Sequence, residues 1–418
     1  MNPEQQKGGP KMKKTNEIIL LNVSGPDKPG QTASLTHILM QYDINILDIG
    51  QSVIHDDLNL GILFEVPEEA GSSPILKDIL FKAYELGVNV RFTPIPAERY
   101  AEWVAHQGKP RYIVTMISHR LTAAHLAKVT TVIAEQGLNI DAISRLSGRT
   151  PIDDVEPQSK AVVEVSVRGT PIDLKKMKSD FMKISSGSDL DIAFQEDNVF
   201  RRNRRLICFD MDSTLIQTEV IDELARRAGV GDEVSAITAS AMRGEIDFRQ
   251  SFLKRISLLK GLDESVMKEI AENLPITNGA ERLFKTLKRY GYRTAILSGG
   301  FTYFGNFLKN KLDIDYVFAN ELEIVNGKLT GNNVGDIVDG ARKAEILKLL
   351  AFKEDIHLEQ VIAVGDGSND LPMLQLAGLG IAFHAKPKVK ESAQHSISAG
   401  GLDSILYFLG FRDRDINQ

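Results

Sequence analysis

The chain of 418 residues is 43% hydrophobic and 25% charged, which is typical of a soluble globular protein with about two to four domains. Its formal net charge of −6 argues against a general nucleic-acid binder, and its single cysteine excludes a disulfide framework. No apolar run approaches the roughly 18 residues that span a membrane, so no membrane association is expected. Residues 1–15 are polar and predict a disordered tail without a signal peptide, and the reducing cytoplasm is the expected compartment.

The first half of the chain contains a weak internal repeat. The first copy, residues 16–98, has a glycine- and proline-rich turn, Gly25–Gly30, after its first strand. In the second copy, residues 108–196, the segment Leu138–Ile143 repeats the pattern of Ile44–Ile49. Both copies follow the order βαββαβ, which predicts a ferredoxin-like antiparallel sheet with two helices on one face.

The repeat resembles ACT domains, which are small regulatory modules that bind amino acids between copies. The resemblance implies an amino-acid effector near the turn that contains Asp27 and Gly30. The second copy departs from the ACT pattern, because Ser118–Thr122 stands in place of that turn. The alternative is that both copies serve only packing or dimerisation, since a fold alone does not determine function. Pairing between sheet edges favours a homodimer in either case.

A change of pattern follows the repeat. Residues 197–205 predict a linker whose basic run, Arg201–Arg205, is short and lacks aromatic residues. We interpret this run as a solvated face rather than a nucleic-acid site. In residues 206–418 strands alternate with helices, which predicts a parallel sheet. A helical insertion at about 219–274 is longer than an ordinary strand–helix loop and is placed to act as a lid.

Two carboxylates, Asp210 and Asp212, follow the apolar strand Leu206–Phe209. Ionised groups this close persist only with a cation, a shared proton or a solvated loop. Ligands of open α/β sheets bind beyond the carboxyl ends of the strands. The pair therefore predicts a metal-dependent site in which one carboxylate attacks and the other moves protons. The alternative is a turn or helix cap made from Asp and Ser.

Three more signals lie further along the chain. Ser298 and Gly299 end an apolar strand, where a hydroxyl group and exposed N–H groups can hold a phosphoryl oxygen. Lys343 opens a helical stretch and can neutralise phosphate. Asp366 and Asp370 follow the next apolar strand and suit a hard divalent cation. Each signal alone also fits an ordinary cap, a surface lysine or a turn.

Taken together and in this order, the motifs resemble the haloacid dehalogenase-like phosphotransferases over about residues 206–410. Phe209–Leu215 followed by Glu219, with Met242–Gly244 and Gly365–Leu374, resembles the phosphoserine phosphatase family. The expected fold is therefore α/β, with a Rossmann-like core, a parallel sheet and a helical cap, preceded by two ferredoxin-like ACT-like domains. Longer bacterial members of that family have a similar N-terminal pair.

The resemblance implies hydrolysis of O-phospho-L-serine to L-serine and phosphate, the last step of serine biosynthesis, with Mg²⁺ as cofactor. The implied catalytic residues are Asp210 as nucleophile, Asp212 as acid and base, and Ser298, Gly299 and Lys343 as phosphate-holding groups. The implied metal ligands are Asp210, the carbonyl of Asp212 and Asp366, with Thr214 and Asp370 around them. The implied substrate contacts are Glu219 to the ammonium, Arg255 to the carboxylate, Met242 and Phe248 as an apolar wall, and Asn369.

Alternatives remain for the cap and for the activity. Met242 and Phe248 also fit plain helix packing, and Arg255 fits a surface salt bridge. The closest competing function is a phosphatase or phosphotransferase that acts on another small phosphorylated alcohol, such as phosphohomoserine. A catalytically silent amino-acid sensor is a second alternative, and the complete set of catalytic motifs argues against it.

Overall fold

The computed structural model describes residues 16–67, 71–105, 108–149 and 160–417. The predicted disordered tail, residues 1–15, lies outside these described residues. The chain divides into two compact units between Gly108 and Lys109. None of the described helices combines the length and the apolar character that crossing a membrane requires.

The first unit contains an antiparallel sheet and two helices packed on one of its faces. Its elements are β1 (Glu17–Pro26), α1 (Gln31–Gln41), β2 (Asn45–Ile54), β3 (Asp57–Val66), α2 (Ser72–Leu86) and β4 (Asn89–Ile95). The strand order is β2-β3-β1-β4. Ile19, Leu21 and Val23 are buried because alternate residues of a strand point to the same face. A further helix, α3 (Ala97–Ala105), was not predicted, and none of its residues is buried.

The second unit begins with a sheet of the same design. Its elements are β5 (Arg111–Ser118), α4 (Ala123–Glu135), β6 (Asn139–Arg145), β7 (Ala161–Arg168), α5 (Leu174–Ser186), β8 (Asp191–Glu196) and α6 (Val199–Arg202). The strand order β6-β7-β5-β8 matches that of the first sheet, so the predicted repeat is confirmed. Here β5 is buried on both faces. Met116 packs against the helices, whereas Ile117 joins the core of the C-terminal domain.

The C-terminal domain is built on a seven-stranded sheet of order β12-β11-β10-β9-β13-β14-β15. Its strands are β9 (Leu206–Phe209), β10 (Arg293–Phe301), β11 (Tyr316–Val325), β12 (Lys328–Val334), β13 (Val361–Gly365), β14 (Leu379–Phe383) and β15 (His395–Ile397). All neighbours are parallel except β11 and β12. The central strand β9 is fully buried, which explains its unbroken apolar run. The predicted α/β fold class is confirmed.

Helices surround this sheet and form the cap. They are α7 (Val220–Ala228), α8 (Gly231–Met242), α9 (Phe248–Ser257), α10 (Ser265–Glu272), α11 (Ala280–Arg289), α12 (Thr302–Leu312), α13 (Gly340–Lys353), α14 (Leu371–Leu376), α15 (Pro387–Ser392), α16 (Ser404–Phe408) and α17 (Asp413–Ile416). Helices α7 to α10 occupy the predicted insertion. Backbone hydrogen bonds from Gly261 N to Leu329 O at 2.8 Å and from Leu329 N to Leu262 O at 2.9 Å join the cap to β12.

The second sheet is docked on the C-terminal domain through buried polar contacts. The Asp191 carboxylate accepts the N–H groups of Ser398 at 2.8 Å and of Ala399 at 3.1 Å. Gln195 Nε2 donates to the carbonyl of Phe408 at 2.9 Å. Buried polar groups need such partners, so these bonds select one arrangement of the two surfaces.

The prediction of a solvated basic face was wrong for two of the arginines. Arg204 is buried and donates to Gln195 Oε1 at 3.0 Å. Arg201 Nη2 lies 2.9 Å from Glu164 Oε2 of β7. Burial and the charge of Arg201 lower the pKa of Arg204 to about 10. The docked sheet covers this segment, and sequence composition alone does not indicate that cover.

Candidate active site

The carboxyl ends of three parallel strands carry the predicted catalytic groups. Strand β9 lies between β10 and β13, and its last residue, Phe209, is in register with both neighbours. Asp210, Ser298 and Asp366 therefore come together at one edge of the sheet, where ligands of such sheets bind. Asp210 is held there by a hydrogen bond from its N–H to Val364 O at 2.9 Å.

Lys343 reaches this edge from α13 and is fully buried. Its Nζ lies 2.9 Å from Asp210 Oδ1 and 2.6 Å from Asp370 Oδ1. Asp339 caps the helix by accepting Arg342 N at 2.9 Å, which sets where α13 begins. Burial alone would lower the pKa of Lys343, but the two carboxylates outweigh it and raise that pKa above its ordinary value. The lysine is therefore a charged group inside the site, and not the surface residue it resembles in isolation.

Asp212 lies in the irregular turn that follows β9. Its Oδ1 accepts Val220 N at 3.1 Å, which ties it to the start of the cap. A Cβ on Gly300 would collide with Asp212 Oδ2, so only glycine allows the β10 loop to approach this carboxyl group. Loss of solvation and the charges of Glu219 and Asp210 raise the pKa of Asp212 well above its ordinary value. This shift favours the protonated form of Asp212, which is the form that a general acid needs.

Asp210, Asp366 and Asp370 form an acidic cluster. One carboxylate oxygen of each lies within 4.8 Å of the others. Burial and the charge of Asp210 raise the pKa of Asp366 to about 7, although Thr214 Oγ1 donates to Asp366 Oδ1 at 3.1 Å. Hard divalent cations prefer carboxylate oxygens and relieve such repulsion. The residues present therefore fit a divalent cation at this edge.

Asp370 has both of its oxygens engaged by the protein. Oδ1 accepts from Lys343, and Oδ2 accepts Gly367 N at 2.9 Å. A Cβ on Gly365 would collide with the Asp370 carboxyl group, so glycine is required for this close approach. These contacts favour the predicted place of Asp370 beside the cation rather than among its direct ligands.

Cation binding should depend on pH through Asp366. A metal ligand must be deprotonated, and without a cation the pKa of this carboxyl group is about 7. The apparent Mg²⁺ association constant should therefore fall about tenfold per pH unit below that value and level off above it. Calorimetric titrations in buffers of different ionisation enthalpy would measure both the affinity and the released proton.

The variant Asp366→Asn is the control for that measurement. Its side chain carries no charge and does not ionise in this pH range. The variant should therefore lose most of the Mg²⁺ affinity together with the pH dependence of binding. A wild-type affinity that stays constant from alkaline to mildly acidic pH would contradict the assignment of Asp366 as a ligand.

Glu219 and Arg255 are charged residues of the cap that interact electrostatically with Asp212. Arg255 Nη1 donates to Thr238 Oγ1 at 3.5 Å, and its buried Nε has no hydrogen-bond partner in the described part of the chain. Desolvation lowers the pKa of Arg255, and the charges of Glu219 and Asp212 oppose this shift. Ser213 Oγ donates to Glu219 Oε1 at 3.0 Å. A buried donor without a partner is costly, so Arg255 Nε is a candidate for binding an acceptor from outside the chain.

The predicted apolar wall has one of its two members in place. A Cβ on Gly299 would lie 3.0 Å from Phe248 Cζ, so this ring packs against the Gly299 backbone. Phe248 also stacks on Phe252, with ring centroids 6.3 Å apart. Met242, in contrast, is 66% exposed, and its sulfur lies 3.9 Å from Lys386 Nζ. In this arrangement of the cap, Phe248 lies against Gly299, whereas Met242 is exposed.

The backbone of Asn369 lies beside the start of α13. A Cβ added to Gly340, the first residue of α13, would lie 2.6 Å from the Asn369 carbonyl oxygen. Its predicted contact with substrate stays a prediction.

The sequence did not single out Ser213 or Asn320. Ser213 has a φ of 57° and holds Glu219, whereas Asn320 is buried between two segments of the site. Asparagine is depleted in strands, so its presence in the apolar run of β11 was the available signal.

Comparisons with known proteins identify both parts of the chain. The ACT domain family model matches residues 17–93, and the model of the haloacid dehalogenase-like hydrolase family matches residues 207–375. A phosphoserine phosphatase of Streptomyces coelicolor is 38% identical over 398 residues, which cover 95% of this chain and 93% of that protein.

Solved structures agree with this assignment. A HAD family hydrolase from Salmonella enterica serovar Typhi, 31% identical, covers 72% of this chain and 98% of its own, with a TM-score of 0.61. A probable phosphoserine phosphatase from Vibrio cholerae, 37% identical, covers 73% of this chain and 87% of its own, with a TM-score of 0.57. The resemblances found in the motifs are confirmed, as is the phosphatase class of enzyme. The chain belongs to the phosphoserine phosphatase family of haloacid dehalogenase-like hydrolases.

Proposed function

We propose that the protein hydrolyses O-phospho-L-serine to L-serine and phosphate. The observation that carries this proposal is the pair of opposite charges that the cap holds near Asp212, namely Glu219 and Arg255. The leaving group of this reaction is a zwitterion with one ammonium and one carboxylate. Arg255 has a free buried N–H for the carboxylate, and Glu219 offers an oxygen to the ammonium.

The first chemical step transfers the phosphoryl group to Asp210. One oxygen of this carboxylate accepts from Met211 N at 2.7 Å and from Lys343, which leaves the other as the attacking atom. The new Asp210–phosphorus bond forms as the bond from phosphorus to the serine oxygen breaks. Asp212 gives its proton to that oxygen, so serine leaves as a neutral alcohol.

The second step returns Asp210 to its carboxylate form. Asp212 removes a proton from water, and the water oxygen attacks phosphorus while the aspartyl bond breaks. Ser298, the N–H of Gly299 and Lys343 hold the phosphoryl oxygens in both steps. Mg²⁺, held by Asp210, the carbonyl of Asp212 and Asp366, would neutralise negative charge on the phosphoryl group.

The direct test is phosphate release from L-phosphoserine with and without Mg²⁺. Phosphothreonine, a sugar phosphate and p-nitrophenyl phosphate serve as comparison substrates. We expect Mg²⁺-dependent turnover with a strong preference for phosphoserine. Turnover of the aryl phosphate alone would contradict the proposed recognition by the cap.

Addition of homoserine as an acceptor tests the competing phosphotransferase, which would yield a phosphorylated alcohol in place of free phosphate.

Arg255→Ala should lower kcat/KM for phosphoserine about 10- to 100-fold, because a charge-assisted pair with the substrate carboxylate is lost. Turnover of p-nitrophenyl phosphate, which has no carboxylate, should change much less. Steady-state kinetics on both substrates measure this difference. Arg227→Ala is the matched control, because Arg227 is an exposed cap arginine paired with Glu269 at 2.8 Å. Equal losses on both substrates would argue against carboxylate recognition.

We also propose that the first ACT-like unit binds an amino-acid effector. Its turn is held in shape by the buried Gln31, which donates to Pro26 O at 2.9 Å and accepts Lys28 N at 3.0 Å. Gly30 has a φ of 88°, a conformation that glycine adopts without strain. This leaves Asp27 exposed at the end of a preformed turn.

Calorimetry of the full chain with L-serine and other amino acids tests the effector site. Because serine is also the expected product, binding that persists in Arg255→Ala and is lost in Asp27→Ala would belong to the turn. Binding with the opposite pattern would contradict the effector site.

We further expect a homodimer, because β2 is an exposed ten-residue edge strand of the kind that pairs between copies. Light scattering on the same samples measures the mass.

A further inference from the structure

Asn320 joins the two segments that carry the phosphate-holding groups. It lies in β11, is 1% exposed, and uses both ends of its carboxamide. Its Nδ2 donates to Gly299 O at 2.8 Å, and its Oδ1 accepts Val338 N at 2.8 Å. A carbonyl can only accept and an amide N–H can only donate, so the orientation of the carboxamide is determined by these partners.

The contact with Gly299 continues to the Ser298 hydroxyl group. The peptide between Gly299 and Gly300 accepts from Asn320 at its carbonyl and donates from Gly300 N to Ser298 Oγ at 2.9 Å. Hydrogen bonds in series polarise one another, so a donor on the carbonyl strengthens the N–H at the other end of the peptide. Asn320, the Gly299–Gly300 peptide and Ser298 therefore form a series of hydrogen bonds in which each group donates to the next.

The last hydrogen bond of this series determines where the Ser298 hydroxyl group can donate. Its oxygen already accepts the Gly300 N–H, so its proton points elsewhere. Within residues 16–67, 71–105, 108–149 and 160–417, the buried Ser298 hydroxyl has no acceptor for that proton. An oxygen of a phosphoryl group attached to Asp210 would supply one.

We propose that Asn320 is a positioning residue that, through the Gly299–Gly300 peptide, makes the Ser298 hydroxyl a donor to the transferring phosphoryl group. This proposal rests on the proposed phosphatase function and adds a residue that does not touch the substrate. The contact with Val338 has a separate effect, because Val338 precedes the cap of α13 and so helps to place Lys343. A useful variant must leave that second contact intact.

Asn320→Asp meets this condition. A carboxylate can still accept Val338 N, but it cannot donate to Gly299 O, whereas a neutral carboxylic acid can do both. At alkaline pH we expect kcat/KM for phosphoserine to fall about tenfold or more, by no more than the loss in Ser298→Ala. The ratio to wild type should recover as the pH is lowered. Asn273→Asp is the matched control, because Asn273 Nδ2 donates to Glu269 O at 2.9 Å on the exposed side of the cap.

A double-mutant cycle with Ser298→Ala separates positioning from general destabilisation. Without the hydroxyl there is nothing to orient, so Asn320→Asp should change kcat/KM in that background by less than about twofold. The same loss in both backgrounds, or no recovery at low pH, would overturn the inference. If Asn320→Asp does not fold, Asn320→Ser takes its place. Its loss of the Val338 contact acts in both backgrounds, so the expected result is then a smaller loss in the Ser298→Ala background than in wild type. An inactive wild-type enzyme would instead refute the proposed function, so the two failures are distinguishable.

Discussion

Asp210→Asn should abolish phosphoserine turnover, with a loss of at least about 10³-fold, while the substrate still binds. The amide is a poor nucleophile and cannot form the aspartyl phosphate. Ser298 and Lys343 remain to hold the phosphoryl group, and Lys343 keeps Asp370 as a counter-charge at 2.6 Å. Phosphate release measures the loss, and calorimetry measures the affinity for phosphoserine.

The control for Asp210→Asn is Asp232→Asn, the same change at an exposed position on α8, which should behave as wild type. Acid quenching after mixing with labelled phosphoserine adds a second readout, because only an enzyme with a nucleophile at residue 210 retains the label. Turnover near the wild-type rate in Asp210→Asn, after deamidation is excluded by mass spectrometry, would remove Asp210 from the role of nucleophile.

The edge of the sheet could be predicted because its signals are local. Asp210 and Asp366 each follow an apolar strand, and Ser298 lies toward the end of one. Parallel strands bring their carboxyl ends together whatever lies between them. The role of Lys343 could be predicted only together with this sheet topology. Its local sequence matched a surface residue, but a helix that begins beside that edge carries it inward to two carboxylates. Local pattern plus sheet topology was therefore sufficient for the chemistry.

Contacts between distant segments could not be predicted in this way. Asn320 acts on a loop 21 residues earlier and on a segment 18 residues later, and no spacing rule links these positions. Asp191 meets Ser398 across 207 residues, and this docking is also what buries Arg204. Met242 is exposed, although the resemblance implied that it belongs to an apolar wall. Such features follow from how surfaces fit together, and a single sequence does not show that.

Asp212→Asn should separate the two chemical steps. The acid is needed to release serine, whose alkoxide is a poor leaving group, so turnover of phosphoserine should fall about 10²- to 10⁴-fold. p-Nitrophenolate leaves without a proton, so phosphorylation of Asp210 by the aryl phosphate should continue. The base for the second step is also missing. We therefore expect a burst of p-nitrophenolate equal to the enzyme concentration, followed by slow turnover.

Stopped-flow absorbance on the aryl phosphate and rapid quench on phosphoserine would measure these steps. The pKa of Asp212 is raised by burial and by the charges of Glu219 and Asp210, so the proton required for serine release is lost as the pH rises through that value. Wild-type phosphorylation by phosphoserine should therefore slow toward alkaline pH, whereas phosphorylation by the aryl phosphate should not. A steady aryl phosphatase rate in Asp212→Asn without a burst would mean that another group serves as the base, and the second role of Asp212 would have to be reassigned.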